Sequence, residues 1–280
     1  MSRGAGPTIP HSAFRNPQSA RPRRLSAGAR TRLEFLATTI AILAVWELSP
    51  WLGMPVFILP PPHRIVAKFF QIYPAVFYHS TITLAESVMG FALAFLTGFP
   101  LAIGIVHFRF MEKTVYPYVV AVRLIPIISI APLMVIWFGI GMTPKVVVSA
   151  LVAFFPIVVN SVVGLRSGAA EALKLMHSLK ATPRQIFWKI RLYASLPYLF
   201  SALRISATLA VIGAIVGEFV GGSDNGLGTM MLRAETFLYT DELFVGVAFS
   251  AILGFLLFGA VALIERRMLF WHESVSAEPR

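Results

Sequence analysis

Four ionisable side chains lie inside or at the edges of long apolar stretches of this sequence: Glu86, Arg123, Arg204 and Glu218. A charge is costly to place in a lipid bilayer, and those that occur there often bind a substrate, an ion or each other. Glu86 and Glu218 could face a solute or simply meet water at the membrane edge. Arg123 could pair with a carboxylate or reach the headgroups, whereas the position of Arg204 favours a side chain that reaches the interface.

The sequence lacks the motifs of common enzyme chemistries. It has no Cys, which excludes thiolate metal sites, iron–sulfur clusters and disulfides. It contains no G-x-x-x-x-G-K-[ST], and its His residues show neither metal-ligand spacing nor H-E-x-x-H. We therefore expect no catalytic residue, no metal site and no cofactor bound by this chain, so that any energy from ATP comes from a partner.

The composition indicates an all-α polytopic membrane protein. Hydrophobic residues make up 57% of the chain and charged residues only 13%, against about a quarter charged in soluble domains. A helix needs roughly 20 apolar residues to cross the hydrocarbon core. Four uncharged stretches satisfy this, a fifth contains Arg204 and Glu218, and a sixth is short. In chain order the six predicted spans are residues 35–48, 87–106, 124–143, 146–165, 198–220 and 243–264.

The distribution of positive charge predicts the orientation. A net charge of +11 could indicate a nucleic-acid partner, but only if the basic residues lie on a soluble surface. With both termini in the cytoplasm, 18 of the 24 Lys and Arg residues lie inside, and Arg64, Lys68, Lys145 and Arg233 lie outside. This asymmetry is typical of membrane topology and argues against nucleic acid.

The flanking and external segments have distinct patterns. Residues 1–32 are rich in Pro, Arg and Ser and predict a disordered cytoplasmic leader before a membrane domain at 33–265 and a cytoplasmic tail at 266–280. Apolar residues at helical spacing in 65–70 predict a short external helix ahead of the second span. The Gly-rich loop 221–241 predicts turns and a segment that dips back toward the membrane or a partner.

Prolines interrupt the predicted third and fourth spans, at Pro126, Pro132 and Pro156, and Asn160 follows one turn later. Freed carbonyls and a polar amide are tolerated at membrane depth where protein or a water-filled cavity surrounds them. Spans three, four and five are therefore the expected pore lining. A ridge at Gly213, Gly217 and Gly221 more often marks a close helix contact than a pathway.

The loop at 166–195 is the longest predicted cytoplasmic segment. Ala172, Leu175, Met176 and Leu179 form a helical stripe, with polar side chains on the opposite face. Thr-Pro-Arg-Gln at 182–185 predicts a capping box that starts a second short helix. Ser195 and Pro197 are expected to restart the chain as the fifth span. Two helices joined by a sharp turn would form a rigid lever that a soluble partner could push.

This loop resembles the EAA loop of importer-type ABC transporter permeases. The segment EALKLMHSLKATPRQIFWKIRLYASLP at 171–197 keeps the Ala-Thr, Gln-Ile-Phe and Leu-Pro elements, but Lys174, Leu175 and Met176 replace the Glu-Ala-Ala triplet. Lys180 and Tyr193 replace a usual glycine and a usual proline. Further similarity runs from about residue 58 to 265, including Trp-Phe-Gly at 137–139 and Gly-Glu-Phe-Val at 217–220. The patterns are similar to the branch that imports nitrate, sulfonates, taurine and pyrimidine or flavin vitamin precursors.

The resemblance implies a six-span, methionine-importer-type (MetI-like) permease in a bacterial inner membrane, transporting by alternating access. It implies a second permease subunit, most simply in a homodimer, an ATPase dimer that binds ATP and Mg, and an extracytoplasmic solute-binding protein. Translocation-path residues would be Glu86, Arg123, Pro126, Asn160 and Glu218. Residues that dock the ATPase would be Leu173, Lys174, Leu175, Met176, His177, Ser178, Leu179, Lys180, Ala181, Thr182, Pro183, Gln185 and Phe187.

Two questions stay open at the level of sequence. The start of the second span and residues 175–185 are more similar to the pyrimidine-precursor or flavin members than to the sulfonate members. An ion-coupled secondary transporter is the alternative function, with Glu86, Glu218 and Arg123 as coupling groups. The helical pair at 172–190 discriminates the two, because a secondary transporter has no need of it.

Overall fold

The computed structural model describes residues 27–168, 170–221 and 225–269. The chain divides into two units, residues 1–48 and residues 49–280. The described part of the first unit is helix α1, Ala27–Glu47. Helix α1 therefore includes residues 27–32 of the predicted leader, and residues 1–26 lie outside the described residues.

The described part of the second unit is built of helices and short connections. Their bounds are α2 Pro62–His107, α3 Arg109–Val122, α4 Ile127–Phe138, α5 Met142–Arg166, α6 Ala170–Ser178, α7 Pro183–Ile186, a π-helical turn Phe187–Arg191, α8 Leu192–Val220, α9 Leu227–Thr236 and α10 Thr240–Met268. Most of the predicted tail lies outside the described residues. The all-α prediction is confirmed.

Within the described residues, four helices are long and apolar enough to cross a membrane: α2, α5, α10 and the helix from Pro183 to Val220. Helices α3 and α4 are bent by 101° relative to each other. If the pair is one bent span, it is a fifth crossing. The structure thus supports four or five of the six predicted spans. A crossing by α1 stays a prediction.

The third predicted span, 124–143, is wrong as a single helix. Helix α3 ends at Val122 and α4 begins only at Ile127. Pro126 has no N–H to donate and disfavours helical geometry at the residue before it, so the chain turns here. Gly139, with φ at +76°, then ends α4. Continuous apolar composition does not reveal this bend, because it shows no break at Pro126.

Two other predicted breaks are absent. The external helix expected at 65–70 is the beginning of α2, which runs without interruption through Pro74. The restart expected at Ser195 and Pro197 is wrong as well, since the helix from Pro183 reaches Val220 through the π-helical turn. In the π-helical turn the Leu192 N–H donates to the Phe187 carbonyl. This turn keeps the chain helical up to Pro197.

Among the described helices, α5 and α8 form the most extensive contact. A Cβ atom on Gly213 would lie 2.7 Å from the Ser149 Cα, so only glycine permits this approach. The Ser149 hydroxyl donates to the Ala210 carbonyl at 2.8 Å, and the Ser206 hydroxyl donates to the Ala153 carbonyl at 2.8 Å. The glycine ridge is therefore a helix contact, reinforced by hydrogen bonds in both directions.

We expect Gly213→Val to force α5 and α8 apart and to destabilise the protein by about 2 kcal/mol or more, because the new side chain meets backbone. Gly259→Val is the matched control, since a Cβ on Gly259 meets nothing within 4 Å. Thermal unfolding of the two purified variants in detergent measures the difference. Equal loss of stability in both would contradict this account of the contact.

Candidate functional site

The predicted capping box is confirmed. The Thr182 N–H donates to the Gln185 Oε1 at 2.8 Å, and the Gln185 N–H donates to the Thr182 Oγ1 at 3.4 Å. Pro183 occupies the first helical position, where its missing N–H has no partner to lose. The box fixes the direction in which the chain enters α7 and, through it, α8.

Two leucines of the apolar stripe of α6 are exposed in the described part of the chain. Leu175 is 61% exposed and Leu179 is 67% exposed, while Met176 is half-buried. The side chains of Leu173 and His177 lie outside the described residues. Of the remaining predicted docking residues, Ala181 and Phe187 are half-buried, and Lys174, Ser178, Lys180, Thr182, Pro183 and Gln185 are exposed. An exposed apolar stripe beside exposed polar groups suits a protein partner.

Lys180 ends α6 in the left-handed region, with φ at +53°. The Ala181 N–H donates to the Met176 carbonyl at 3.0 Å, which is the six-residue closure of a Schellman motif. Glycine is the usual residue at this position because it has no Cβ to clash with the following carbonyl. The backbone at Lys180 therefore has the conformation that favours glycine, the residue usual at this position in the family pattern.

We expect Lys180→Gly to stabilise the end of α6 by about 1 kcal/mol, the cost of a left-handed conformation for a residue with a Cβ. Hydrogen exchange of the α6 amides in the purified protein measures the effect as slower exchange. Lys174→Gly, in the interior of the same helix, should act in the opposite direction. Faster exchange in Lys180→Gly would contradict the strain described here.

A cavity of about 480 Å³ lies at the bend between α3 and α4. It is lined from all three predicted pore-lining regions, by Arg123, Leu124, Ile125, Pro126, Ile127, Val152, Phe155, Pro156 and Leu209. Two of the predicted path residues, Arg123 and Pro126, thus come together here. Asn160 does not line this cavity, and its amide instead donates to the Pro156 carbonyl at 2.9 Å.

Glu86 and Glu218 do not line that cavity either. Each is 1% exposed, and the Lys145 Nζ lies 3.1 Å from the Glu86 Oε1. Lys145, which the charge count placed outside, belongs to the first turn of α5 and is itself 1% exposed. The sequence places Lys145 near the end of a predicted span but does not show its ion-pair partner, Glu86, which lies on another helix.

Four buried polar side chains, Thr83, Glu86, Lys145 and Glu218, form a cluster with the half-buried His79 at its edge. The Thr83 hydroxyl donates to the Glu218 Oε1 at 2.6 Å, and the Lys145 Nζ donates to the Asn225 carbonyl at 2.9 Å. Sequence reasoning missed three of the five members. A signal was present, since positions 79, 83 and 86 follow the i, i+4, i+7 spacing of one helix face.

Arg204 is also paired. Its Nε lies 3.1 Å from the Glu265 Oε2, and its guanidinium lies 5.8 Å from the centre of the Phe258 ring. The charge is thus balanced by α10, and a position at the membrane interface is not needed to explain it.

Within the described ranges, no group of three or more His, Asp or Glu side chains could hold a metal ion.

Comparison with known proteins identifies the family. The sequence model of the binding-protein-dependent transport system inner membrane components matches residues 90–270. The chain belongs to this family. It is 35% identical to the formylaminopyrimidine transport permease protein of Halalkalibacterium halodurans, over 84% of this chain and 94% of that one. It is 34% identical to the riboflavin transport system permease protein of Chloroflexus aurantiacus, over 91% and 96%.

The fold has a counterpart among solved structures. A chain of the MetNI methionine ABC transporter, in an inward-facing conformation, superposes with a TM-score of 0.62 over 70% of this chain and 97% of that one. At 22% sequence identity, this likeness shows the fold alone. The predicted methionine-importer-type fold is therefore confirmed.

Family membership establishes the general role. The protein is the permease component of a binding-protein-dependent ABC importer, a transport component rather than an enzyme. It is a multi-pass inner-membrane protein that works with an ATPase and a solute-binding protein. Membership decides against the ion-coupled secondary transporter.

Proposed function

We propose that two copies of this chain form the pathway by which a pyrimidine or flavin vitamin precursor enters the cytoplasm by alternating access. The identity to the formylaminopyrimidine and riboflavin permeases, 35% and 34%, supports this substrate class. The sulfonate permease of Bacillus subtilis and the taurine permease of Escherichia coli follow at 32% and 29%. Sulfonates, taurine and nitrate are the competing substrates.

The exposed stripe of α6 carries the proposed coupling to ATP. Leu175 and Leu179 present apolar area that no part of the described chain covers, and a groove on the ATPase dimer would bury it. ATP and Mg bind to that partner, and this chain holds no cofactor. Both termini lie in the cytoplasm in this arrangement, which puts α6 on the same side as the ATPase.

The continuous helix from Pro183 to Val220 supplies the mechanical link. The chain has no break at Ser195 or Pro197, so a displacement at the capping box is transmitted along α8. Leu209 of α8 lines the cavity at the α3–α4 bend. We infer that closure of the ATPase dimer moves α8 and changes the shape of this cavity.

The cavity suits a planar, polar ring. Its lining is apolar apart from Arg123, with Phe155 available to stack against a heterocycle. The Arg123 guanidinium can donate hydrogen bonds to ring carbonyls or attract an anionic group. Arg123 and Pro126 therefore remain our residues for the translocation path, with Asn160 on α5 one turn after the lining residue Pro156.

We expect Leu175→Asp to uncouple ATP hydrolysis from transport, because a carboxylate in an apolar docking groove must be desolvated without a partner. The reconstituted importer should lose most uptake, while the variant still inserts into the membrane and the ATPase retains basal activity. Leu52→Asp is the matched control, a leucine 72% exposed on the opposite side in this topology. Unchanged uptake in Leu175→Asp would show that α6 is not the docking element.

Uptake by proteoliposomes containing the permease, its ATPase and its binding protein tests the substrate. We expect ATP-dependent accumulation of labelled formylaminopyrimidine or riboflavin, with little competition from excess taurine. Preferential accumulation of taurine over formylaminopyrimidine and riboflavin would show that the proposed substrate class is wrong. Accumulation that persists when the partner's ATP hydrolysis is abolished would overturn the coupling proposal itself.

A further inference from the structure

The start of helix α9 is held by side chains from two other helices. The Gly226 N–H donates to the His79 Nδ1 at 3.0 Å, and the Leu227 N–H donates to the Thr83 Oγ1 at 2.8 Å. The Gly228 N–H donates to the Glu218 Oε2. Three successive amides at the beginning of a ten-residue helix thus find partners on α2 and α8.

These amides are the groups that a helix leaves without internal partners. The first N–H groups of a helix need an outside acceptor, and a negative charge is favoured there by the helix dipole. The Glu218 carboxylate supplies an acceptor for the Gly228 N–H and a negative charge at the start of the helix. A Cβ on Gly226 would overlap that carboxylate, and Gly226 has φ at +121°, so glycine is required for the close approach.

Lys145 completes the attachment from α5. Its ammonium donates to the Asn225 carbonyl, two residues before α9 begins, and pairs with the Glu86 carboxylate. Two carboxylates and one ammonium are buried together, and the Glu86 Oε2 has no hydrogen-bond donor in the described structure. Removing Lys145 would leave the Glu86 carboxylate without its ion-pair partner beside a second buried carboxylate, Glu218, which a buried site tolerates poorly.

We propose that Thr83, Glu86, Lys145 and Glu218 are positioning residues for transport, forming a latch that fastens α9 to α2, α5 and α8. The latched helix, with α10 against which its Met231 packs, travels with these spans as one body through the transport cycle. In the topology proposed above, α9 lies on the external side, where its position decides the surface that meets the solute-binding protein. This last step rests on the proposed function, whereas the latch itself does not.

A single introduced cysteine reports the state of the latch, because the chain has no native Cys. Met231 lies on the buried face of α9, so Met231→Cys should react slowly with a maleimide in detergent-solubilised protein. We expect Lys145→Met or Glu218→Met, added to this background, to raise the labelling rate by roughly tenfold or more through local opening. Labelling that stays slow in both variants overturns the latch.

Glu265→Met is the matched control. It removes a carboxylate from another ion pair, the one with Arg204, and should leave the labelling of the introduced thiol in Met231→Cys slow. An equal rise in this control would show general loosening and would also overturn the proposal. Detergent exposes both sides of the protein, so the labelling result does not depend on orientation or on substrate.

A disulfide tests whether α9 moves during the cycle. A Cβ on Gly246 would lie 3.9 Å from the Met231 Cβ, close to the usual separation in disulfides. Met231→Cys with Gly246→Cys should therefore cross-link α9 to α10 on oxidation, and we expect uptake to continue. Loss of uptake that a reductant restores would show that α9 must separate, contrary to the proposal.

The binding-protein assay gives the functional readout. With the latch released in Lys145→Met, the concentration of loaded binding protein for half-maximal ATPase stimulation should rise about tenfold, while the maximal rate and the basal rate stay near those of the unmodified permease. A fall in maximal rate alone would assign these residues to general stability and overturn their positioning role. Fast labelling with normal stimulation would keep the latch but remove its role in docking.

Discussion

The ammonium group of Lys145 pairs with the Glu86 carboxylate, and the carboxylate of Glu218 is buried in the same cluster. Glu86 and Glu218 belong to α2 and α8, and Lys145 belongs to α5, so the requirement to compensate buried charge fixes three spans relative to one another. Apolar packing alone holds membrane helices together with little directional preference, because lipid tails are as apolar as the side chains. A buried ion pair supplies the missing direction.

Glycine makes this arrangement possible. A Cβ on Gly217 would lie 2.8 Å from the Lys145 Cα, and the close approach of α8 to α5 brings Glu218 and Lys145 into one cluster. The same helix α8 continues the short helix that begins at the capping box of Thr182 and Gln185. The helix from Pro183 to Val220 thus has the polar cluster near one end, and the capping box at its other end joins it to α6, the proposed ATPase contact.

Local patterns in the sequence predicted local structure well. The capping box at 182–185 and the helix at 170–178 form as expected, because their hydrogen bonds and spacing involve neighbouring residues. Predictions failed where the outcome depended on contacts between distant segments. Proline signals did not distinguish the bend at Pro126 from the uninterrupted helix through Pro197, because the neighbouring turn decides whether the chain can continue.

The sequence by itself determined the helical class, the membrane setting and the family, because these follow from composition, periodicity and short motifs. It also marked Glu86, Arg123, Arg204 and Glu218 as charges that need partners. Only the tertiary structure decided what two of those partners are: Lys145 with Glu86 and Glu265 with Arg204. Electrostatic compensation acts through space between side chains on different helices, so position along the chain does not reveal it.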